Sequence, residues 1–291
     1  MQLQRDNIKL IMKPLIVLAL CCFFICSAYS QNDSLSVSET LEKLFGRLIS
    51  EREDSVRLSV NDSIKMIIDE IVEADSIFNF NFNNVRFLGQ ITSTDSVVKI
   101  VSWNLNLRNE QGKYFCYMIK KNEQNNPNSI YNLTANYSLA DISKDTIYTS
   151  ENWYGALYYE IRPFIMNGEK RWITLGINYS NPLITKKIID VVAFKSDGEI
   201  EFGAPVFSLS EEELKSREVF LYSADAAMTL RFADDDTIIF DHLVPFAPEF
   251  VGQMEYYGPD FSYDAFIFGE GAWIFKSDID ARNEERPMIL R

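Results

Sequence analysis

The stretch KIIDVVAF, residues 187–194, decides the fold. In a strand, alternate side chains face opposite sides, so Ile188, Asp190, Val192 and Phe194 share one face and Ile189, Val191 and Ala193 the other. Apart from Asp190 both faces are apolar, which places this strand in the middle of the structure, covered on both sides. A carboxylate in that position must be paired or must carry a raised pKa. Pairing with an arginine or with turn backbone is the structural reading of Asp190; a tuned general acid, and so a buried functional carboxylate, is the other. Asp197-Gly198 then separates this run from EIEFG (199–203), a hairpin signal.

Working outward, the same grammar repeats. VVKIVSWNL (97–105) and KYFCYMI (113–119) flank a turn at 109–112, and ALYYEIRPFI (156–165) and RWITLGI (171–177) flank Asn167-Gly168. EVFLYS (218–223) leads to AMTLRFA (227–233), Asp234, Asp235 and Asp236 turn the chain into TIIFDHL (237–243), and YDAFIF (263–268) and AWIF (272–275) close around Gly269-Glu270-Gly271. Period-2 runs separated by turn residues predict about five consecutive antiparallel hairpins. Helices do not alternate with strands, which argues against a parallel α/β sheet, and no strict repeat emerges. The segment 122–150 is polar and Asn-rich, and reads as loop with one short strand.

Before the strands, Leu41, Leu44, Phe45, Leu48 and Ile49 recur at helical spacing, with Ser38 or Thr40 as the candidate cap; Ile64, Ile67, Ile68, Ile71 and Val72 form a second set, with Asp62 as its candidate cap. The expected fold is therefore mainly β with a short α-helical N-terminal segment: an antiparallel β-sandwich or partly closed barrel, with a small propeller-like arrangement as the alternative. The expected organisation is a leader over 1–30, a helical segment over 31–80 and one antiparallel β domain over 81–291.

The leader carries Arg5, Lys9 and Lys13 before an uncharged apolar run, and ends on Ala28-Tyr29-Ser30, the small-residue pattern of a signal-peptide cleavage site. A lipid-modified cysteine is the rival reading, although Leu20 and Ile25, which precede Cys21 and Cys26, are larger than the small residue such a site favours. Removing 1–30 takes away three Lys/Arg and one Asp (Asp6), so 28 basic and 42 acidic residues become 25 and 41, and the net charge moves from −14 to −16. Of four cysteines only Cys116 stays, in an apolar strand run, so no internal disulfide is expected and the thiol reads as buried. The acidic balance argues against nucleic acid and anionic lipid as partners. One histidine excludes a multi-histidine metal site, and neither a metal nor a cofactor is expected. After the leader, no stretch is long and apolar enough for a transmembrane span.

WYGALYYEI (153–161), KKIIDVVAFKSDGEIEFGAPVF (186–207), IIFDHLVP (238–245) and YYGPDFSYDAFIF (256–268) together resemble a family of exported bacterial proteins with no assigned activity, over about residues 85–283. The resemblance implies export and a single β-rich unit. It brings no site residue to this chain.

Few residues suggest chemistry. His242 is the only imidazole, but its neighbour Asp241 points to the opposite face of a strand and is badly placed to orient it. Glu160, Asp190, Asp260 and Asp264 could supply the carboxylate pair of a glycan hydrolase. Asp234–Asp236 could bind calcium, and more simply form a solvated hairpin tip. Trp153, Tyr154, Tyr256, Tyr257, Phe261 and Tyr263 fall near Gly and Pro in expected loops, where amphipathic rings suit ligand or sugar contact; Trp153, Tyr154, Tyr256, Tyr257 and Tyr263 are the candidate ligand-binding residues. The expected function is non-catalytic: an exported binding or structural protein of the periplasm or cell surface, with a glycan or an envelope protein as partner. The alternatives are a carboxylate-dependent glycan hydrolase and an envelope assembly component that docks through its N-terminal helices.

Overall fold

The computed structural model describes residues 36–82, 85–108, 112–123, 126–135, 141–210 and 213–280. The leader reading over 1–30, with Cys21, Cys22 and Cys26, lies outside the described residues, as do positions 109–111 of the first expected hairpin turn. The chain divides into two compact units after Arg86.

The first unit is helical. Helix α1 (36–50) buries Leu41, Phe45 and Leu48, and helix α2 (Asp54–Glu73) buries Val60, Ile64, Ile68, Ile71 and Val72. These are the i, i+4, i+7 sets that one helical stripe presents. A single 3₁₀ turn, Asp75–Phe78, follows α2. Both expected caps are corrected. Ser38 lies inside α1 and is buried, and Asp62 lies in the middle of α2, whose N-cap Glu53 makes no side-chain bond. Short polar residues favour caps because they bond local backbone, but one on a continuous amphipathic stripe is simply carried along. Glu42 accepts hydrogen bonds from the backbone N–H and Nε of Arg86, both at 2.7 Å.

Among the described residues the second unit contains sixteen strands. The first eight are β1 (Gly89–Thr92), β2 (Val98–Leu105), β3 (Lys113–Lys120), β4 (Ser129–Thr134), β5 (Tyr148–Thr149), β6 (Leu157–Met166), β7 (Glu169–Asn178) and β8 (Ile184–Phe194). The rest are β9 (Ile200–Phe202), β10 (Phe207–Ser210), β11 (Glu213–Lys215), β12 (Arg217–Ser223), β13 (Leu230–Phe232), β14 (Thr237–Pro245), β15 (Tyr257–Gly269) and β16 (Ala272–Lys276). They form three sheets. Sheet I is the meander β1-β2-β3-β4. Sheet II runs β5-β9-β8-β7-β6, with β12 also paired to β8. Sheet III runs β11-β10-β16-β15-β14-β13, antiparallel except for the parallel β10–β16 pair.

Sheet II is the middle layer of a β-sandwich, and β8 shows why. Ile188 and Val192 enter one core with Val98, Ile100, Cys116, Met118 and Leu133 of sheet I. Ile189 and Val191 enter a second core with Phe207, Ile238, Phe240, Phe266 and Trp273 of sheet III. The alternation read from KIIDVVAF is thus realised on both faces. Each fully buried Val or Ile contributes on the order of 1.5–3 kcal/mol relative to exposure, so a strand with four of them in two cores anchors the stack. The sheets lie face to face; their strands close neither into a barrel nor into a propeller.

The turns follow their residue chemistry. Asn167 (φ 52°) and Gly168 (φ 81°) both take the left-handed conformation that a two-residue hairpin with native twist demands. At Asp197-Gly198 only the glycine does so (φ 90°), giving a three-residue loop. One expected connection fails. β12 does not pair with β13 but returns to β8 in sheet II, whereas β13 opens sheet III.

Candidate functional site

The residues with the most unusual chemistry lie inside the stack. β12 pairs with β8 so that Arg217 stands directly opposite Asp190. Arg217 Nε donates to Asp190 Oδ2 at 3.0 Å, and both side chains are 0% exposed. Tyr154 Oη donates to the same oxygen at 2.9 Å, and the N–H of Val191 to Oδ1 at 2.8 Å. The remaining guanidinium nitrogens donate to the carbonyls of Ser143 and Thr146, each at 2.5 Å, and of Phe202 at 2.8 Å. The guanidinium also lies over the rings of Tyr148 (4.6 Å) and Tyr154 (5.6 Å). Burial pushes the Asp190 carboxyl up, opposed by Arg217, Tyr154 and the Val191 N–H; the nearby carboxylate keeps the Arg217 guanidinium charged despite its burial. Each of the three guanidinium nitrogens meets an acceptor, as a charge in a low-dielectric interior requires. Asp190 therefore belongs to a closed structural network.

That network corrects the aromatic expectation for two residues. Trp153 is 0% exposed and Tyr154 is buried. Trp153 Nε1 donates to Tyr158 Oη at 2.8 Å, and the hydroxyls of Tyr154 and Tyr158 are 3.1 Å apart. Gly155 signals a loop, and the residues are indeed outside the named strands, but that loop packs inward. Gly155 (φ 77°) lies against the Tyr114 ring, which a Cβ would approach to 3.0 Å. Tyr257 and Tyr263 belong to β15, not to a loop, and are half-buried. Tyr256 ends a 3₁₀ turn and stacks on Phe250 with ring centroids 4.3 Å apart. Phe261, in the bulged part of β15, is 93% exposed with φ 72°.

The other candidates scatter. His242 falls at the β14 bulge, and its partner is Asp264 on β15 (Nδ1 to Oδ2, 2.8 Å), not the adjacent Asp241. This hydrogen bond raises the imidazole pKa, with Asp260 and Asp278 adding to it. Glu160 is half-buried beside Arg162, and Asp260 is exposed and accepts from Ser262. At the acidic hairpin tip, Asp235 pairs with Arg162 at 2.8 Å, and Asp234 accepts from the N–H of Asp236. Among the described residues no group of three or more His, Cys, Asp or Glu side chains is arranged to hold a metal ion, and no helix is long and apolar enough to cross a membrane.

Two clefts remain. The wider, about 710 Å³, opens at one end of the sheet I–sheet II sandwich. Lys120, Lys121, Asn122, Glu123 and Asn126 line it from the end of β3 and the following loop, Lys170 and Trp172 from β7, and Phe194 from β8. Lys120 Nζ stands 5.6 Å from the Phe194 ring centre, Trp172 meets Phe194 edge-on at 5.2 Å, and Lys170 pairs with Asp95 at 3.2 Å. Trp172 is buried and forms the floor, whereas Phe194 is partly exposed. The narrower cleft, about 190 Å³, lies between β12 of sheet II and strands β14–β16 of sheet III, and holds Glu218, Asp241 and Asp264. Of the four carboxylates proposed for hydrolysis, Asp264 alone lines either of these clefts.

None of the lysines was singled out in the sequence. The available signal was the pair Lys120-Lys121 ending an apolar strand of an acidic chain, but its convergence with Lys170 depends on how two sheets stack. Compared with protein-family models, with curated proteins and with solved structures, the chain matches none.

Proposed function

We propose that the chain is an exported, non-catalytic binding protein of the bacterial envelope, and that its ligand is an acidic saccharide held in the wider cleft. One observation carries this reading. In a chain of net charge −14, Lys120, Lys121 and Lys170 converge on one concave surface with Asn122, Asn126 and a partly exposed aromatic ring, Phe194. Lysine ammonium groups meet carboxylate or sulfate, amides meet hydroxyls, and a ring face meets the apolar side of a sugar. A positive cleft on an acidic protein also concentrates anions locally while the rest of the surface repels them. Export rests on the leader-like sequence of residues 1–30.

The hydrolase reading has less support, because Asp190 is sealed with Arg217, and glycoside hydrolysis needs two carboxylates on either side of a bound sugar. Docking through the helices has little surface to use: Ile49 and Met66 are exposed, while the main apolar stripes are buried. The test is an array of acidic and neutral saccharides probed with the purified protein and with Lys120→Glu. The proposal expects retention of acidic members only, lost in the variant. Equal retention of neutral members, or none at all, would overturn it.

A further inference from the structure

One three-residue pattern recurs throughout the chain: an aspartate, then a hydroxyl residue, then an aliphatic residue. It occurs at Asp33-Ser34-Leu35, Asp54-Ser55-Val56, Asp62-Ser63-Ile64, Asp75-Ser76-Ile77, Asp95-Ser96-Val97, Asp145-Thr146-Ile147 and Asp236-Thr237-Ile238. Of twenty aspartates, seven precede Ser or Thr, and all seven of those pairs precede Leu, Val or Ile. Ser and Thr make up about one residue in eight, so a random order would give two or three Asp-Ser/Thr pairs and less than one full triplet. The first triplet lies outside the described residues. In the other six, Ser55, Ser63, Ser76, Ser96 and Thr146 are exposed and Thr237 is half-buried. The fold gives them no common cause. Ser55 and Ser63 lie in α2, Ser76 in the 3₁₀ turn, Ser96 in the β1–β2 turn at φ 58°, Thr146 just before β5 and Thr237 at the start of β14. Helix-dipole and turn chemistry accounts for the aspartates at Asp54, Asp75 and Asp95, but it asks for no aliphatic residue two places on, and Asp62 is in mid-helix.

We infer that the triplet is an acceptor signal for O-glycosylation, and that Ser55, Ser63, Ser76, Ser96 and Thr146 carry glycans in the exported protein. This goes beyond the cleft and uses only the export proposed above. The five positions share a nucleophile that the fold leaves at the surface, set between a charge and an apolar group that a transferase can grip. In the step itself the hydroxyl oxygen attacks the anomeric carbon of a glycosyl diphosphate. The new C–O bond forms as the bond from that carbon to the diphosphate oxygen breaks. The diphosphate leaves with the electron pair, and the hydroxyl proton passes to a base of the transferase. A phosphoryl group on the same oxygens fits less well. Each would add a charge of about −1.5 to −2 beside an aspartate, in a chain already at −14, where like charges repel. A neutral glycan adds bulk and hydration without charge. The aliphatic residue also sets the timing. Ile64 and Ile77 are 0% exposed, so their triplets are readable only before those segments fold, whereas Ile147 is 40% exposed beside an exposed Asp145 and stays readable in the folded chain.

The experiment is peptide mass spectrometry, with site-localising fragmentation, on the full chain recovered from the cells that produce it naturally. Expected are saccharide mass increments on Ser55, Ser63, Ser76, Ser96 and Thr146, and none on Thr40, Ser50, Ser59 and Thr94, which are exposed hydroxyls outside the triplet. Asp62→Ala keeps Ser63 and favours the helix, so it should fold and lose the increment at Ser63 alone. The N-terminal peptide separates this inference from the export reading. An unmodified chain that starts at Gln31 overturns the inference and leaves export standing; an unmodified chain that keeps residues 1–30 overturns both. Phosphate increments in place of saccharide, equal modification of the control hydroxyls, or an unchanged Ser63 increment in Asp62→Ala also overturn it.

Discussion

Asp190 and Arg217 face each other across the β8–β12 pairing, 3.0 Å apart, with neither side chain reaching solvent. This ion pair occupies the face of sheet II that packs on sheet I, among Ile188, Val192 and Val219. A buried pair gains little over an apolar pair of equal volume, yet losing one partner leaves an uncompensated charge in a low-dielectric interior. Asp190→Ala is therefore expected to cost about 3–5 kcal/mol, and the combined Asp190→Leu, Arg217→Met variant less than either single truncation. Urea unfolding measures both. A cost below about 1 kcal/mol for Asp190→Ala would show that the pair does not hold the middle sheet.

Gly203 provides a backbone test of the same network. It has φ 107°, and a Cβ there would lie 2.7 Å from Arg217 Nη2 and 3.0 Å from Ile147 Cδ1. Gly198 is also left-handed, at φ 90°, but nothing lies within 4 Å of its Cβ position. Gly198→Ala should therefore cost only the conformational strain, about 1–2 kcal/mol, and Gly203→Ala clearly more, with thermal unfolding ranking the two. Equal losses would mean that Arg217 moves aside at no cost.

Much of this architecture is legible in the chain, and what is not has identifiable causes. The central position of β8, the burial of Asp190 and the Asn167-Gly168 hairpin follow from local alternation and turn chemistry. The partner Arg217 does not, because β12 joins β8 through a long-range pairing that no turn signal announces. The first half of β15 was hidden by Gly258 and Pro259, which suggest a turn but sit in a strand paired with Val244 and Leu243. Trp153 and Tyr154 show a limit of reading loops: glycine and aromatic residues marked the irregular segment correctly, but only tertiary packing decides whether such a segment faces water. The wider cleft was illegible for the same reason, since Lys120 and Lys170 belong to different sheets.

His242 is the only histidine, so its imidazole resonances can be followed without assignment ambiguity. Its pKa is raised by the hydrogen bond to Asp264, so an NMR titration should place it above the ordinary value of about 6.5, and Asp264→Asn should bring it down. For stability the sign is fixed. The folded-state value lies above the unfolded one, so the contribution is complete below about pH 6.5 and is lost as pH rises through the folded-state pKa. With the side chain 45% exposed, the effect should be small. A titration at or below 6.5 would mean that the pair does not persist in solution.

Cys116 is buried in the sheet I–sheet II core, where burial pushes its thiol pKa well up. In protein lacking residues 1–30 it is the only thiol. It should ignore a thiol-specific chromogenic disulfide in native buffer and react fully in denaturant. Rapid native labelling would contradict the packing of that core.

The binding proposal is tested most directly by mapping backbone and indole amide shifts of isotope-labelled protein on addition of an acidic saccharide retained on the array. The account predicts changes confined to Val97, Lys120–Glu123, Asn126, Lys170, Trp172 and Phe194, with the Trp172 indole N–H among them, and their loss in Lys120→Glu. Shifts centred instead on the Tyr256–Phe261 region of β15, or none at saturating saccharide, would contradict it.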